Sequence, residues 1–350
     1  MQIKYWSTEL KLAHTWTIAS GVATGGGTNL SPVAIVQLSG DDGTIGLGES
    51  APASRYKESV HGALDFLAKV DARKLSFDNI EASMKYLETV APGQFSAKSA
   101  INIALLDGAS RKAGKALYDY LGLGFHDKHH VTSFSIGIDK PDIIRKKVLA
   151  AEQYPVLKLK VGSPDDKANM AALREAAPTK WVRVDANEGW KTKEHALEMI
   201  EWLATDGHIQ FIEQPMPAGT DPKDLAWLKA RSPLPLIADE AYHTAKDVAH
   251  CVDCYHGVNV KLCKNVWVSN AYEELQAARK AGLQTMIGCM IETSILISAA
   301  AHLAELCNYL DIDGNILITN DPYIGVTAEK GLLSFASAPE KLGLRVQARS

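Results

Sequence analysis

The sequence predicts an α/β fold: a TIM-type (β/α)7β barrel preceded by an N-terminal α+β domain. Two observations carry this. From about residue 131, short apolar stretches alternate with helical ones: "VTSFSIGI", "PVLKLKV", "WVRVDAN", "IQFIEQP", "LPLIADE", "GVNVKL" and "LQTMIGCM", with a last strand expected near "ILIT". Such alternation builds βαβ units and a parallel sheet. The residues that mark five strand ends, Lys160, Asp185, Glu213, Asp239 and Lys261, are spaced 25, 28, 26 and 22 positions apart, about one βα unit each. Seven or eight such units in roughly 190 residues suit a closed barrel better than an open sheet.

The N-terminal part differs. Residues 1 to about 60 read as strands. "SPVAIVQLSGDDGTIGLGESAP" is a hairpin of two apolar runs around a D-D-G turn. Before it, "SGVATGGGTN" has four glycines in ten residues and is expected to be a mobile loop. Its G-G-G is not a P-loop, because no G-K-[ST] follows. "SAKSAINIALLDGASRKAGKALYDYLG" has helical spacing and ends at Gly122. The division expected is residues 1–122 and 123–321, with the C-terminal segment 322–350 completing the first domain.

Bulk properties exclude several classes. Of 350 residues, 46% are apolar and 22% charged, an ordinary globular balance. A net charge of -4 with scattered lysines and arginines gives no field for nucleic acid. The opening "MQIKYWSTELKLAH" lacks an apolar h-region, and no apolar run approaches the roughly 18 residues of a membrane span. "SILISAAAHLAEL" is interrupted by His302 and Glu305 and reads as a packed helix. Five cysteines without framework spacing fit a reducing, cytoplasmic setting. Cys251 and Cys254 form a lone C-x-x-C with no second pair to complete a zinc site, so they read as ordinary thiols. Nothing specifies an interface, and a homo-oligomer stays open.

The chemistry gathers at the strand ends. In "PVLKLKV" the alternation of a strand puts Lys158 and Lys160 on one face. Asp185, Glu213 and Asp239 end three successive strands about 4.8 Å apart. One such acid alone reads equally well as a cap on the following helix. Three in register repel one another unless a cation lies between them. With oxygen donors only, that cation is a hard one, Mg2+. Lys261 follows on the next strand, so lysines flank the acids on both sides. A desolvated lysine near other cations has a lowered pKa and serves as a base near neutral pH. One lysine on each face of a carbon acid can remove a proton from one side and return it to the other.

"KLK", "VDAN", "IEQP", "IADE" and "VNVK", in this order, resemble the enolase superfamily, muconate-lactonizing enzyme subgroup, over nearly the whole chain. The resemblance implies that the N-terminal domain caps the barrel. It also implies that Asp185, Glu213 and Asp239 bind Mg2+ and that Lys160 and Lys261 are the acid/base pair. Lys158 would tune Lys160 and contact the substrate carboxylate, with Asn187 and Glu240 supporting the metal ligands. The subgroup contains cycloisomerases, o-succinylbenzoate synthases, N-acylamino-acid racemases and dipeptide epimerases.

"YLDIDGN" separates these. Asp311 and Asp313 are similar to the acid pair with which dipeptide epimerases receive the substrate's free ammonium. A dipeptide has a cation to give that pair, whereas a muconate or succinylbenzoate has none. D-I-D-G on its own also reads as a turn. The resemblance therefore implies inversion at the α-carbon of a dipeptide's C-terminal residue, with an N-acylamino-acid racemase or another enzyme of the subgroup (o-succinylbenzoate synthase, cycloisomerase) as the alternative. A non-catalytic barrel would be expected to lack a ligand or a lysine, and none is missing. Cys289, Met290 and Glu292, in "GCMIETS" (288–294), are expected to line the substrate pocket; Glu292 reads equally well as a helix-capping carboxylate.

Two features depart from the family pattern. The first capping loop, "IASGVATGGGTN", has no arginine to pair a glutamate side chain. Arg55, in "APASRYKES", is either a substitute or a surface residue. "KLCKNVW" lacks the usual glycine pair, and Val266 and Trp267 are expected to reshape the rim.

Overall fold

The computed structural model describes residues 1–24, 26–264 and 268–350. The N-terminal strands β1 (Gln2–Trp16), β2 (Thr28–Ser39) and β3 (Ile45–Ser50) form an antiparallel sheet with β2 in the centre. The β2–β3 hairpin turns where expected: Asp42 Oδ1 accepts the Thr44 N–H at 3.0 Å, an Asx-type turn. The glycine-rich stretch departs from the expected loop, because it begins with a short helix, α1 (Ala19–Thr24). "ASGVAT" contains only one glycine. The Val22 N–H reaches the Ile18 carbonyl at 3.1 Å, and the glycine cluster follows only after the helix.

Four helices follow: α2 (Val60–Leu67), α3 (Ile80–Val90), α4 (Phe95–Lys112) and α5 (Leu117–Tyr120). In α4 every residue from Ser96 to Ser110 is buried. One side packs Ala97, Ile101 and Leu105 against Val36 and Leu38 of the sheet. On the other, Ser99 Oγ donates to the Leu262 carbonyl at 2.6 Å and Asn102 Nδ2 to Ser269 Oγ at 3.0 Å. A helix enclosed on all sides needs no polar face, which explains its many small residues.

The barrel alternates strictly. Its elements are β4 (Phe134–Ile136), α6 (Pro141–Ala150), β5 (Val156–Lys160), α7 (Asp166–Ala176), β6 (Trp181–Asp185), α8 (Lys193–Ala204), β7 (Ile209–Glu213), α9 (Pro222–Lys229), β8 (Leu236–Ala238), α10 (Val248–Cys254), β9 (Gly257–Lys261), α11 (Val268–Lys280), β10 (Gln284–Gly288), α12 (Ser294–Ala301) and β11 (Tyr309–Asp311). The strands pair in sequence, all parallel, and a parallel bridge between Thr132 and Leu310 brings the last strand to the first. Outward residues such as Leu157, Leu159, Val182, Val184 and Val260 meet the helices in the main core. Inward, Phe211, Ile237 and Met286, with Tyr309, plug the lower barrel. The interior is therefore packed, and only its C-terminal mouth is free for chemistry.

The last barrel strand lies at "YLD", not at "ILIT". The Asp313 carbonyl accepts the Ile316 and Leu317 N–H groups, curling the chain out of the barrel. Ile318 then bridges antiparallel to Leu12 of β1. The C-terminal segment carries β12 (Tyr323–Ile324), β13 (Thr327–Glu329), β14 (Leu332–Ser334) and β15 (Gln347–Ala348). It lies against α4, where Asp107 Oδ1 accepts the Leu344 N–H at 2.8 Å. Among the described residues no helix is long and apolar enough to cross a membrane.

Candidate active site

The strand register brings the strand-end residues together. Lys160 lies opposite Asp185 and Asp185 opposite Glu213, so the three share one layer of the barrel. Asp239 follows β8 directly. Asp185, Glu213 and Asp239 are buried and each offers an oxygen within 4.8 Å of the others, the one such cluster among the described residues.

Each of these carboxylates has one oxygen tied and one presented. Asp185 Oδ1 accepts the Asn187 N–H at 2.9 Å, Glu213 Oε1 accepts Asn259 Nδ2–H at 2.7 Å, and Asp239 Oδ1 accepts from Lys264 Nζ at 2.8 Å. The presented oxygens face lysines. Asp185 Oδ2 is 2.6 Å from Lys160 Nζ and 3.1 Å from Lys158 Nζ. Glu213 Oε2 is 2.7 Å from Lys158 Nζ, and Asp239 Oδ2 is 2.8 Å from Lys261 Nζ. In the last two, Glu213 Oε2 and Asp239 Oδ2 are buried, and each meets only a lysine ammonium. Convergent, underused carboxylate oxygens with no sulfur or nitrogen donor among them fit a hard divalent cation.

The charges here differ from the expectation of a lowered lysine pKa. Burial opposes the charge on Lys158, but Asp311, Glu213 and Asp185 outweigh it and hold its pKa well above the ordinary value. Lys261 is likewise raised, burial and Lys158 being overcome by Asp239 and Glu213. The acids diverge. Burial, aided by Asp185, pushes Glu213 up to about 7, whereas Lys261 and Lys264 override burial and hold Asp239 well below the carboxylate range. Asp185 is also lowered, by Lys160 and Lys158 against burial. Asn187 Nδ2 donates to Glu240 Oε1 at 3.2 Å, and burial beside Asp239 raises Glu240 to about 8.

The acid pair sits across the mouth beside β4. Asp311 Oδ2 is 2.5 Å from Lys158 Nζ and its Oδ1 accepts Ser133 Oγ–H at 2.6 Å. Asp313 Oδ2 accepts the Ser135 N–H at 2.6 Å. Burial would raise both. Lys158 and Lys160 hold Asp311 at about 2, while Asp313, next to Asp311, goes up to about 6. Lys158 thus touches both acidic clusters with one ammonium.

Cys289 Sγ lies 3.7 Å from Asp313 Oδ1, which places the end of β10 beside the acid pair. Glu292 Oε1 accepts the Met290 N–H at 2.8 Å and faces Cys263 Sγ at 3.6 Å. Burial raises Glu292 to about 7. It does not cap α12. That end is held by Thr293 and by Glu49 at the end of β3, which accepts the Thr293 N–H at 2.9 Å and the Leu296 N–H at 3.2 Å. The N-terminal sheet is thereby fastened to the barrel.

The segment after β1 stands over the Lys160 side of the mouth. A Cβ on Gly162, whose φ is +103°, would lie 2.8 Å from Ala19 Cβ, and the Trp16 ring is 5.9 Å from Lys160 Nζ. Arg55 is not delivered to the lysines. It forms a two-pronged pair with Glu188, both contacts 2.8 Å, with half its side chain exposed. Val266 and Trp267 lie outside the described residues. Cys251 and Cys254 are free, buried thiols on α10.

Sequence reasoning missed Asn259 and Lys264. Asn259 was within reach of it, since alternation puts it on the same face as Lys261. Lys264 lies beyond the strand, where no periodicity applies. Its Nζ also donates to the Asp239 and Asn259 carbonyls.

Comparison with known proteins follows this geometry. Residues 8–122 match the mandelate racemase / muconate lactonizing enzyme N-terminal domain, and residues 144–323 the enolase C-terminal domain-like family. The chain is 79% identical over 349 residues, all of both proteins, to an L-Ala-D/L-amino acid epimerase of Pedosphaera parvula. It is 35% identical to an L-Ala-D/L-Glu epimerase of Bacteroides thetaiotaomicron, over 97% of this chain and 86% of that one. A dipeptide epimerase from Enterococcus faecalis, solved with Mg and L-Leu-L-Tyr, superposes with a TM-score of 0.88 at 30% identity over 99% of each chain.

Proposed function

The chain belongs to the mandelate racemase / muconate lactonizing enzyme family of the enolase superfamily, and from that premise we propose that it is a Mg2+-dependent dipeptide epimerase inverting the α-carbon of the C-terminal residue. The observation that carries this is the order around the mouth. Lys160 and Lys261 flank three convergent acids, and a second acid pair, Asp311 and Asp313, stands beyond Lys158. The Mg-bound, dipeptide-bound Enterococcus faecalis relative and the Pedosphaera parvula epimerase support it.

Asp185, Glu213 and Asp239 hold the metal in this reading. Bound there, Mg2+ supplies positive charge to the substrate carboxylate and against the acid field that keeps Lys261 protonated. Lys160 and Lys261, on strands either side of the acids, address opposite faces of the α-carbon. One takes the α-proton and the other returns one to the opposite face. Lys158 neutralises the negative charge that builds on the substrate carboxylate. Asp311 and Asp313 receive the free α-ammonium by charge-assisted hydrogen bonds. Cys289, Met290 and Glu292 line the wall beside that pair, and Asn187 and Glu240 steady the metal ligands. The name of the Pedosphaera parvula relative favours L-alanine as the N-terminal residue.

The test is solvent deuterium uptake. Chelator-treated protein is incubated in D2O with L,L-dipeptides and their N-acetylated forms, with and without restored Mg2+. One deuterium per inverted molecule is expected, on free dipeptides and only with Mg2+. Uptake confined to N-acylated substrates would contradict the role given to Asp311 and Asp313.

A further inference from the structure

Asn259 is an expensive residue to bury where it is. It is fully inaccessible to solvent, and its Oδ1 has no hydrogen-bond partner. An orphaned buried amide oxygen costs free energy that an apolar side chain of the same shape would avoid. Its single side-chain bond is the one from Nδ2 to Glu213 Oε1, at 2.7 Å. That bond takes one oxygen of Glu213 and leaves Oε2 to face Lys158, in a cluster whose three acids each offer an oxygen within 4.8 Å of the others.

Gly288 belongs to the same device. It is the register partner of Lys261 on β10, and Met286, two residues earlier, is the partner of Asn259. A Cβ at Gly288 would stand 2.7 Å from Asn259 Oδ1, 2.8 Å from Nδ2 and 3.1 Å from Lys261 Cε. These are the far ends of side chains, not backbone. An added methyl would therefore push the Asn259 amide and the Lys261 stem aside and leave the strands in place. A strand glycine otherwise weakens its strand. Here its missing Cβ is the space in which both side chains lie.

We infer that Asn259 and Gly288 are positioning residues of the β9–β10 wall: Asn259 aims Glu213 into the metal cluster, and Gly288 leaves room for Asn259 and Lys261 to hold their directions. Lys264 does for Asp239 what Asn259 does for Glu213, at 2.8 Å from Oδ1. Two of the three acids, Glu213 and Asp239, are thus set by contacts from the β9 side of the barrel. This rests on the metal role proposed for Asp185, Glu213 and Asp239.

The experiment uses Mn2+ as a paramagnetic probe. Free Mn2+ is titrated by EPR at one pH against wild type, Asn259→Leu and Gly288→Ala, with cooperative melting confirming that each variant is folded. Loss of a group that orients a metal ligand typically weakens affinity about 10–100-fold. That loss is expected for Asn259→Leu. Gly288→Ala keeps every hydrogen-bonding group, so any loss comes from displacement alone; about tenfold weaker Mn2+ binding is expected, with kcat for inversion falling more than KM rises. Wild type and Asn259→Leu binding Mn2+ within threefold of each other would overturn the inference while leaving the proposed activity standing. No Mn2+ uptake by wild type would overturn it together with the metal role of the acids.

Discussion

The two walls of the barrel mouth each carry two lysines, and they use them differently. On β5 the lysines are two residues apart, so both point into the mouth: Lys160 meets Asp185, and Lys158 reaches Asp185, Glu213 and Asp311. On the β9 side they are three apart. Lys261 points into the mouth at Asp239 Oδ2, but Lys264 falls past the strand end. It is buried beneath Asp239 against one carboxylate oxygen and two carbonyls. Spacing therefore separates a lysine shared among three carboxylates from one held beneath a strand end. Lys158 meets three carboxylates; Lys264 is held by two backbone carbonyls. The β5 wall turns both its lysines into the mouth, and the β9 wall turns one in and keeps one as a support for Asp239.

The comparison breaks most visibly in Lys160 and Lys261, on strands either side of the three acids. Lys160→Ala and Lys261→Ala are each expected to lower inversion at least about 10³-fold, the scale of losing a positioned acid or base, read as D-epimer formation by chiral chromatography. The next effect separates Lys158 from Lys264. Lys264→Met strands Asp239 Oδ1 and two carbonyls, and unfolding with Mg2+ present should show a loss of about 3 kcal/mol. Lys158→Met should lose activity while Mg2+ restores most of its melting temperature, because a cation can take over Glu213 and Asp185. Equal stability losses in the two variants under Mg2+ would erase the distinction.

Smaller effects follow from the acids. Asp313 is raised to about 6, so it is neutral below that pH and ionised above it. KM for a free dipeptide should fall about tenfold as pH rises from 5 to 7, and Asp313→Asn should flatten the profile. At the domain contact, burial and Glu292 raise Glu49 to about 8. A folded state that keeps a proton the unfolded chain releases loses stability as pH rises. The melting temperature should therefore drop between pH 5 and 8, and Glu49→Gln should remove part of that drop, on the order of 1 kcal/mol or more.

Much of this was legible because barrel chemistry follows periodicity. A strand with two lysines on one face, and three strands each ending in an acid, locate the mouth residues without a structure, since alternation and βα spacing are local rules. The structure added what those rules do not reach. Lys264 lies in a turn, and Glu49 meets α12 from 244 positions away in sequence. Arg55 is occupied by Glu188, 133 positions on, which no pattern around Arg55 announces. "ILIT" has the composition of a strand, yet the carbonyl of Asp313 turns the chain away before it. The glycines at 25–27 concealed a helix that ends just before them. The lysine expectation counted desolvation and neighbouring cations, and no pattern in the sequence counts the three carboxylates that lie within 3.1 Å of Lys158.

The central claim is that Lys160 and Lys261 serve opposite faces of one carbon. Under that claim each lysine variant would retain one base, reaching one face only. Lys160→Ala and Lys261→Ala are incubated separately in D2O with the L,L- and L,D-forms of a dipeptide the wild type inverts, and α-deuterium is read by mass spectrometry. Two opposed bases predict that each variant exchanges one epimer without inverting it, and that the exchanged epimer is the opposite one in the two variants. Exchange of the same epimer by both, or continued inversion by either, would contradict it.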